Sequence, residues 1–351
     1  MLGRELVKRG YEVTAVVPRR EDQESVEILD GIRVLGFDWK HPLSMLKLFR
    51  EANADIYHSQ EPSFATYLAQ VAMPDRKHVV TFRDTRLLGD WWVEYKYPSK
   101  SRLQVLTNFL YEDNFLVSRA VRRADQCFAT ANLLIPKARR RYRLLSDPAF
   151  LSSPVPFLEK IDKSLSSLVC FVGRVDRRKR PYLFFELATR FPQVKFEAIG
   201  IGQDTVWEKT IRAKYLALPN LKFHGFLDQF TETALAEIWS KAWVLVNTSV
   251  REALPTTFVE AAGHGCAILS EIDPDGFVSR FGYHVTDGDY ATGLRALLRD
   301  DLWKERGELG RQYAREVFGL EKSIRDHIDI YEVALANDLP SHQYRSSTGS
   351  E

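Results

Sequence analysis

Cysteine is scarce in this chain, with three residues among 351. Cys127, Cys170 and Cys266 are too widely separated for a CxxC zinc or redox pair. Each lies in or beside an apolar, strand-like run, so all three are expected to be buried thiols. The eight histidines show no HxxxH or HExxH spacing, which leaves a metal site without support. An excess of one charge is also missing: 49 basic and 47 acidic residues give a formal net charge of +2, so no global field points to nucleic acid as a partner. Long hydrophobic runs are lacking too. Stretches such as LVCFVG from Leu168 fall far short of the ~20 residues that span a bilayer. No charged-then-apolar signal segment opens the chain, and a cytoplasmic location is expected.

What is present is a composition of 45% hydrophobic and 27% charged residues, which fits a globular protein and excludes a disordered or fibrous one. The length predicts about two domains of ~150 residues each. LGRELVKRG, ended by Gly10, has the pattern of a helical turn, and EVTAVVP from Glu12 follows as a buried strand. IRVLGF, DIYHS, HVVTF and QCFAT continue as strands, alternating with helical stretches near Ser44, Ser63, Leu103 and Asn132. Such alternation implies crossovers and a parallel sheet. Prolines and serines between Ser146 and Leu168 dilute the periodicity and mark a linker. Strand and helix then alternate again: LVCFVG, a helix opening at Pro181, VKFEAIG, LKFHGF, a helix from Thr231, WVLVNTS, a helix from about Pro255, CAILS and YHV. The expected organisation is α/β throughout, with one unit over 1–150, a linker over 151–167 and a second unit over 168–319. A C-terminal helix over 320–337 has its apolar face at Leu320, Ile324, Ile328, Tyr331 and Leu335 and suits docking onto either unit. A mobile tail over 338–351 completes the chain.

Two stretches of the second unit bear on phosphate. In FVGRVDRRKRP a buried strand ends at Gly173, and the following loop carries Arg174, Arg177, Arg178, Lys179 and Arg180. Ligands of open α/β sheets sit at the carboxyl ends of strands, where this loop lies. Arginine holds phosphate bidentately and lysine adds a point charge, so Arg174 with Lys179 suits a diphosphate. The plain reading of Arg177, Arg178 and Arg180 is a solvated basic turn. In REALPTTFVEAAGHGCAIL, Pro255 at a first helical position leaves the amides of Thr256 and Thr257 free for an anion. Glu252 then precedes the helix and Glu260 lies about one turn inside it, so the two carboxylates flank a phosphate-sized site and can accept from sugar hydroxyls. The alternative is an acidic turn that complements the helix dipole. GIG at Gly200 to Gly202 lacks the third glycine of a dinucleotide fingerprint, and no GxxxxGK[ST] occurs.

The order VGR…K, GIGQD after a strand, FHGF, and E-x7-E followed by AAGHGCAIL resembles the donor-binding domain of the retaining glycosyltransferases of family four, which have the two-domain GT-B fold. The likeness covers about Leu168 to Gly288 closely and the rest loosely. It implies two Rossmann-like domains facing across a cleft and transfer of a hexosyl group from a UDP- or GDP-sugar to a glycan or lipid-linked acceptor. Arg174 and Lys179 would clamp the diphosphate and Glu252 would contact the transferred sugar; these three form the catalytic set. Glu260 would receive the ribose hydroxyls, and the amides from Leu254 through Pro255 and Thr256 to Thr257 would lie near sugar and phosphate. Gly225 and Phe226 would pack the nucleobase. Fixed cations aimed at the leaving group would replace a metal, so neither metal nor cofactor is expected.

The first unit departs from the family. The strand and glycine-rich loop that usually precede the opening helix are absent, which would leave sheet edges unpaired, so the given start is expected to be internal to a longer reading frame. Arg83 stands where the family often has a histidine before the aspartate, here Asp84; arginine cannot act as a base but suits an acidic acceptor, and an Arg83–Asp84 surface pair is the alternative. His58 ends the DIYHS strand on the acceptor side. The basic KARRRYR run, with Trp91 and Trp92 in an expected loop, suits peripheral contact with an anionic membrane, on the inner face, or an ordinary solvated helix. A non-catalytic nucleotide-sugar-binding module, or a degenerate transferase, is the competing reading.

Overall fold

The computed structural model describes residues 1–19, 23–38, 41–228 and 233–336. The first half runs α1 Leu2–Lys8, β1 Thr14–Pro18, β2 Val26–Leu29, β3 Ile32–Phe37, α2 Met45–Ala52, β4 Ile56–Ser59, α3 Phe64–Ala72, β5 Lys77–Phe82, α4 Leu88–Lys96, α5 Arg102–Glu112, α6 Phe115–Arg122, β6 Gln126–Ala129, α7 Leu134–Tyr142 and β7 Ala149–Phe150. Its strands form two sheets, β1-β3-β2 and the parallel β4-β5-β6-β7. β1 and β4 are both edges, and no described strand joins them.

The second half runs β8 Leu168–Val172, α8 Pro181–Arg190, β9 Lys195–Ile199, α9 Thr205–Ala213, β10 Leu221–Gly225, α10 Ala234–Lys241, β11 Val244–Asn247, α11 Thr256–Gly263, β12 Ala267–Ser270, α12 Phe277–Phe281, β13 Gly282–His284, α13 Tyr290–Leu298, α14 Leu302–Phe318 and α15 Leu320–Ala336. One parallel sheet, β10-β9-β8-β11-β12-β13, organises it. Successive strand residues point to opposite faces, and here both faces are covered. Val169, Phe171, Val244, Val246 and Leu269 enter one apolar cluster with Phe184, Phe185 and Leu294. Leu168, Cys170, Leu245 and Ile268 enter the other with Phe258, Val259 and Phe277. The continuous apolar runs in the sequence are the record of this double burial.

Several expectations need correction. The EVTAVVP strand is half-buried at a sheet edge rather than buried. β2 pairs antiparallel with β3 across Asp30 and Gly31, whose φ values of 52° and 79° mark the Asp-Gly turn of a two-residue hairpin. Trp91 and Trp92 lie in α4, not in a loop, and Trp91 is buried with its Nε1 donating to Asp113 at 3.0 Å. Thr231, the expected start of a helix, and the tail over 338–351 lie outside the described residues. The KARRRYR run forms α7, where Lys137 pairs with Asp90, Arg139 with Asp147 and Arg141 with Asp113.

The C-terminal helix α15 returns to the first half. Ser323 bonds Ser152 at 2.6 Å, Tyr331 bonds His58 at 2.6 Å, and Ile330 packs on Val79, Phe128 and Leu151. Its buried face is Ser323, Ile324, His327 and Ala334, while Leu335 is exposed, so the helix is rotated from the leucine-centred expectation.

In the second half two turns pack backbone to backbone. A Cβ on Gly200, whose φ is +126°, would stand 2.0 Å from the carbonyl oxygen of Gly173, and one on Gly202 would stand 2.2 Å from that of Val175. These glycines are therefore spacers between the β8 and β9 loops. Gly200→Ala is expected to lower stability by about 2 kcal/mol or more through strain and overlap, read as a lowered thermal midpoint; an unchanged midpoint would contradict the packing.

Candidate functional site

The carboxyl ends of strands from both sheets converge on one cavity of about 580 Å³. Gln60, Arg83 and Thr130 follow β4, β5 and β6; Phe226 follows β10; Thr256, Thr257 and Glu260 come from α11. Such crevices are where open α/β sheets bind ligands. The connector contributes more than a linker: Ser152 to Pro156 line the cavity, and His327 of α15 closes it.

α11 starts one residue later than expected. Pro255 is its N-cap, and the amide of Phe258 donates to the Pro255 carbonyl at 3.0 Å. Thr256 and Thr257 become the first two helical residues, whose amides have no intrahelical acceptor. Glu260 lies one turn on, facing the same cavity. Burial pushes its carboxyl up to about 7, and among the described residues its side chain has no hydrogen-bond or ion-pair partner. An unpartnered, half-buried carboxyl in a cavity is a group waiting for donors.

Glu252 is the opposite case. It accepts from Ser249 Oγ at 2.6 Å and Asn247 Nδ2 at 3.2 Å and pairs with Lys179. Burial opposes its charge, but the Lys179 ammonium and these hydrogen bonds outweigh burial and hold it below the usual carboxylate range. The amide of Lys179 in turn donates to Asp176 at 3.0 Å. Arg174 is half-exposed, its Nε 3.4 Å from Asp176. Gly173 is not needed as a spacer for this loop, since a Cβ there would make only ordinary contacts, with Phe171 Cζ at 3.7 Å and Lys179 Cε at 3.9 Å. Lys179 and Glu252 thus form one ion pair and Arg174 a separate one with Asp176; none of the three lines the cavity, whereas Glu260, Thr256 and Thr257 do.

The rest of the basic loop is not a solvated turn. Arg177 pairs with Asp204 at 2.8 Å, Arg178 with Glu94 at 2.7 Å, and Arg180 with Glu271. Gly225 has a φ of +73° at the end of β10, and its carbonyl accepts from the Gly200 amide at 2.6 Å. The turn leaves Phe226 68% exposed at the cavity wall, an unburied ring free to stack.

On the first half, Arg83 faces the cavity with its guanidinium on the Gln60 carboxamide at 3.3 Å. The alternative, an Arg83–Asp84 surface pair, is not formed; Asp84 bonds Arg251 and Arg86 instead. Glu61, at a φ of 122°, receives the amides of Arg83 and Asp84, each at 2.6 Å, and so fixes that loop. His58 lies behind the cavity wall, its ring nitrogens 2.6 Å from Tyr331 Oη and 2.7 Å from Thr81 Oγ1. Burial, then the neighbouring His327 and Arg83, lower its pKa to about 3, so the ring is neutral and fully bonded.

Sequence reasoning missed Arg251. Only 8% exposed, it reaches from the second half to Asp84 at 2.7 Å, Asp90 at 2.8 Å and Glu94 at 3.2 Å. Arg178 and Arg86 complete the network on Glu94 at 2.7 and 2.9 Å. Asp275 adds a second cross-link, accepting from the amides of Asn132 and Leu133 at 2.7 Å each, at the start of α7. Arg251 stands 167 positions from Asp84, and no local pattern marks such a pair. Removing one partner of a buried ionic group strands the others, so Arg251→Ala is expected to lose about 3–5 kcal/mol and to split a single urea transition into two as the halves uncouple. A single transition at the wild-type midpoint would contradict this.

Residues 1–148 match the family described as Glycosyltransferase Family 4, and residues 159–306 match Glycosyl transferases group 1. No curated protein matches the sequence. Among solved structures, sucrose-phosphate synthase from Thermosynechococcus elongatus is similar with a TM-score of 0.71 at 17% identity, covering 96% of this chain and 92% of that one. A glycosyltransferase from Rickettsia africae superimposes with a TM-score of 0.66 at 14% identity over 96% and 94% of the chains. Anabaena Alr3699/HepE, solved in complex with UDP-glucose, does so with a TM-score of 0.66 at 15% identity over 87% of each. At such identities the structural likeness speaks for the fold. Two facing Rossmann-like domains, each half matched by its own family, make this chain a glycosyltransferase of the group 1 and family 4 type with the GT-B architecture.

Proposed function

We propose that the chain transfers a hexosyl group from a UDP- or GDP-sugar to a glycan or lipid-linked acceptor, with retention of anomeric configuration and without a metal. The observation that carries the donor reading is Glu260, whose buried carboxyl faces the cavity without a partner. A ribose offers two adjacent hydroxyl donors to it, the free amides of Thr256 and Thr257 offer donors to a phosphate oxygen, and Phe226 offers a ring face to a base. Arg174 and Lys179 then aim fixed positive charge at the leaving diphosphate, the role a metal would otherwise fill. Lys179 pairs with Glu252, so an arriving diphosphate shares it, and Glu252, kept ionised, accepts from a hydroxyl of the transferred sugar. Retention and the hexose enter through the resemblance of the VGR…K and E-x7-E stretches. The competing reading, a binding module without turnover, has one observation in its favour: Asp84 on the acceptor side is committed to Arg251 and Arg86.

A panel of UDP- and GDP-sugars separates the readings, with thermal shift reporting binding and nucleoside diphosphate release reporting turnover in the presence of glycan and lipid acceptors. Stabilisation with release supports transfer; stabilisation without release supports the module; no stabilisation by any nucleotide sugar overturns both. Arg174→Ala is expected to reduce turnover at least as much as binding.

Glu260 also predicts a pH dependence. Its folded-state pKa of about 7 lies above the ordinary 4.5, so this stability contribution is present below the ordinary value and lost as pH rises through about 7. Ligand hydroxyls need the ionised carboxylate, so donor binding has the opposite sign and releases a proton. Affinity for the nucleoside diphosphate is expected to fall about tenfold from about pH 8 to pH 6. Glu260→Gln should bind more weakly at the higher pH and keep only the dependence due to the nucleotide's own phosphates; an unchanged pH profile in that variant would remove Glu260 from the donor site.

A further inference from the structure

We propose that the outward faces of α4, α5 and the start of α6 form a ridge that docks on the surface of a lipid bilayer carrying anionic headgroups. The purpose of such docking rests on the reading of a lipid-linked acceptor; its geometry does not. α5 is amphipathic in an unusual sense. Leu103, Leu106 and Leu110 recur at i, i+3 and i+7 and so share one face, yet that face points to solvent. Together with Leu88, Trp92 and Phe115 they are between 49% and 75% exposed. The inner face is occupied by Val105, which is buried, and by Phe109, set edge-on against Trp91 at 5.5 Å. The two helices present one surface: Trp92 stacks on Tyr95 at 5.8 Å, and the Arg102 guanidinium lies 5.2 Å over the Tyr95 ring. Contiguous apolar surface of this kind marks an interaction site.

The charges decide what covers it. The acidic residues between Arg86 and Ala124 are Asp90, Glu94, Glu112 and Asp113, and all four are turned inward onto Arg251, Arg86, Arg178, Lys137 or Arg141. The exposed charged residues of the same segment are Lys96, Lys100, Arg102, Arg119, Arg122 and Arg123, every one basic. Exposed leucines and a tryptophan on a segment whose exposed charges are all basic fit the boundary of an anionic leaflet, where the apolar side chains enter the acyl region and each nearby cation adds attraction. A second copy of the chain would bring a second set of the same cations against the first and be repelled. Trp92 and Tyr95 have the amphipathic rings that settle at headgroup level.

The test is vesicle flotation with phosphatidylcholine alone and with phosphatidylcholine containing phosphatidylglycerol. Wild-type protein is expected to float with the anionic vesicles, to stay behind with the neutral ones, and to be released by added salt. The double variant Leu106→Glu and Leu110→Glu should lose binding about tenfold or more, and the surface variant Lys100→Glu with Arg102→Glu should lose its preference for anionic lipid. Thermal shift with the nucleotide-sugar panel on the same preparations shows that each variant is folded, and it keeps failure of the docking surface distinct from failure of the donor reading. No flotation of the wild type, or equal flotation of the leucine variant, overturns the proposal. So does a wild-type dimer by light scattering that the leucine variant dissolves without any vesicle binding, which would make the ridge a contact between copies.

Discussion

Arg251 is the constraint on which the site depends. It is an arginine drawn out of water by one domain and neutralised by three carboxylates of the other. Desolvating a guanidinium is unfavourable by several kcal/mol unless its donors are satisfied, so the geometry persists only while Asp84, Asp90 and Glu94 stay in place. The following residues divide their loyalties: Glu252 turns back to Lys179 in its own domain, whereas Ala253 and Leu254 pack into the apolar cluster of the first half with Val117, Ala131 and Leu134. Pro255 then starts α11. Arg251, Ala253 and Leu254 thus join the domains just before the helix that carries Thr256, Thr257 and Glu260.

The second half was legible in the sequence because its structure is written in consecutive residues. A parallel sheet covered on both faces reads as unbroken apolar runs, and β8, β11 and β12 appear as such, while β9, β10 and β13 carry polar residues such as Glu197, Lys222 and His284. Glu260 and Glu252 were legible for a related reason, since their spacing around a proline already separates loop from helix. The short strand β2 was signalled by Asp30-Gly31 but is mostly exposed, and burial is what makes a strand conspicuous. α4 and α6 escaped notice because tryptophans and polar caps dilute a helical period over so few turns. What stayed hidden altogether was pairing at a distance. Nothing near Arg251, Arg178 or Asp275 names their partners, and the basic loop after β8 looked solvated because a sequence displays charges without the carboxylates that meet them.

The same limit applied to His58. As a strand-end histidine it carried both a functional and a structural meaning, and the structure supplies the deciding context from the far end of the chain. α15 brings Tyr331 against one ring nitrogen while Thr81 takes the other, leaving no lone pair for a substrate. The helix that closes the chain also places His327 at the cavity. The cavity is therefore shaped by Met1 and Leu2 as well as by His327 of α15, contacts that a reading confined to one domain at a time does not reach.

α4 ties these levels together. Its inner face carries Asp90 and Glu94, which hold Arg251 one residue before Glu252, and its outer face carries Leu88 and Trp92. Because the helix is short and its inner carboxylates are fixed by three arginines and a lysine, it moves as a rigid piece with the domain boundary. Any surface that engages its outer face acts on the loop that carries Arg251 and Glu252, with no intermediate element to absorb the displacement. A partner bound there would bias the relation of the two domains by as much as its affinity differs between their arrangements, and the buried charges that join them make intermediate arrangements unfavourable. Engagement of that outer face and the relation of the two domains are in this sense one equilibrium, linked through a single helix.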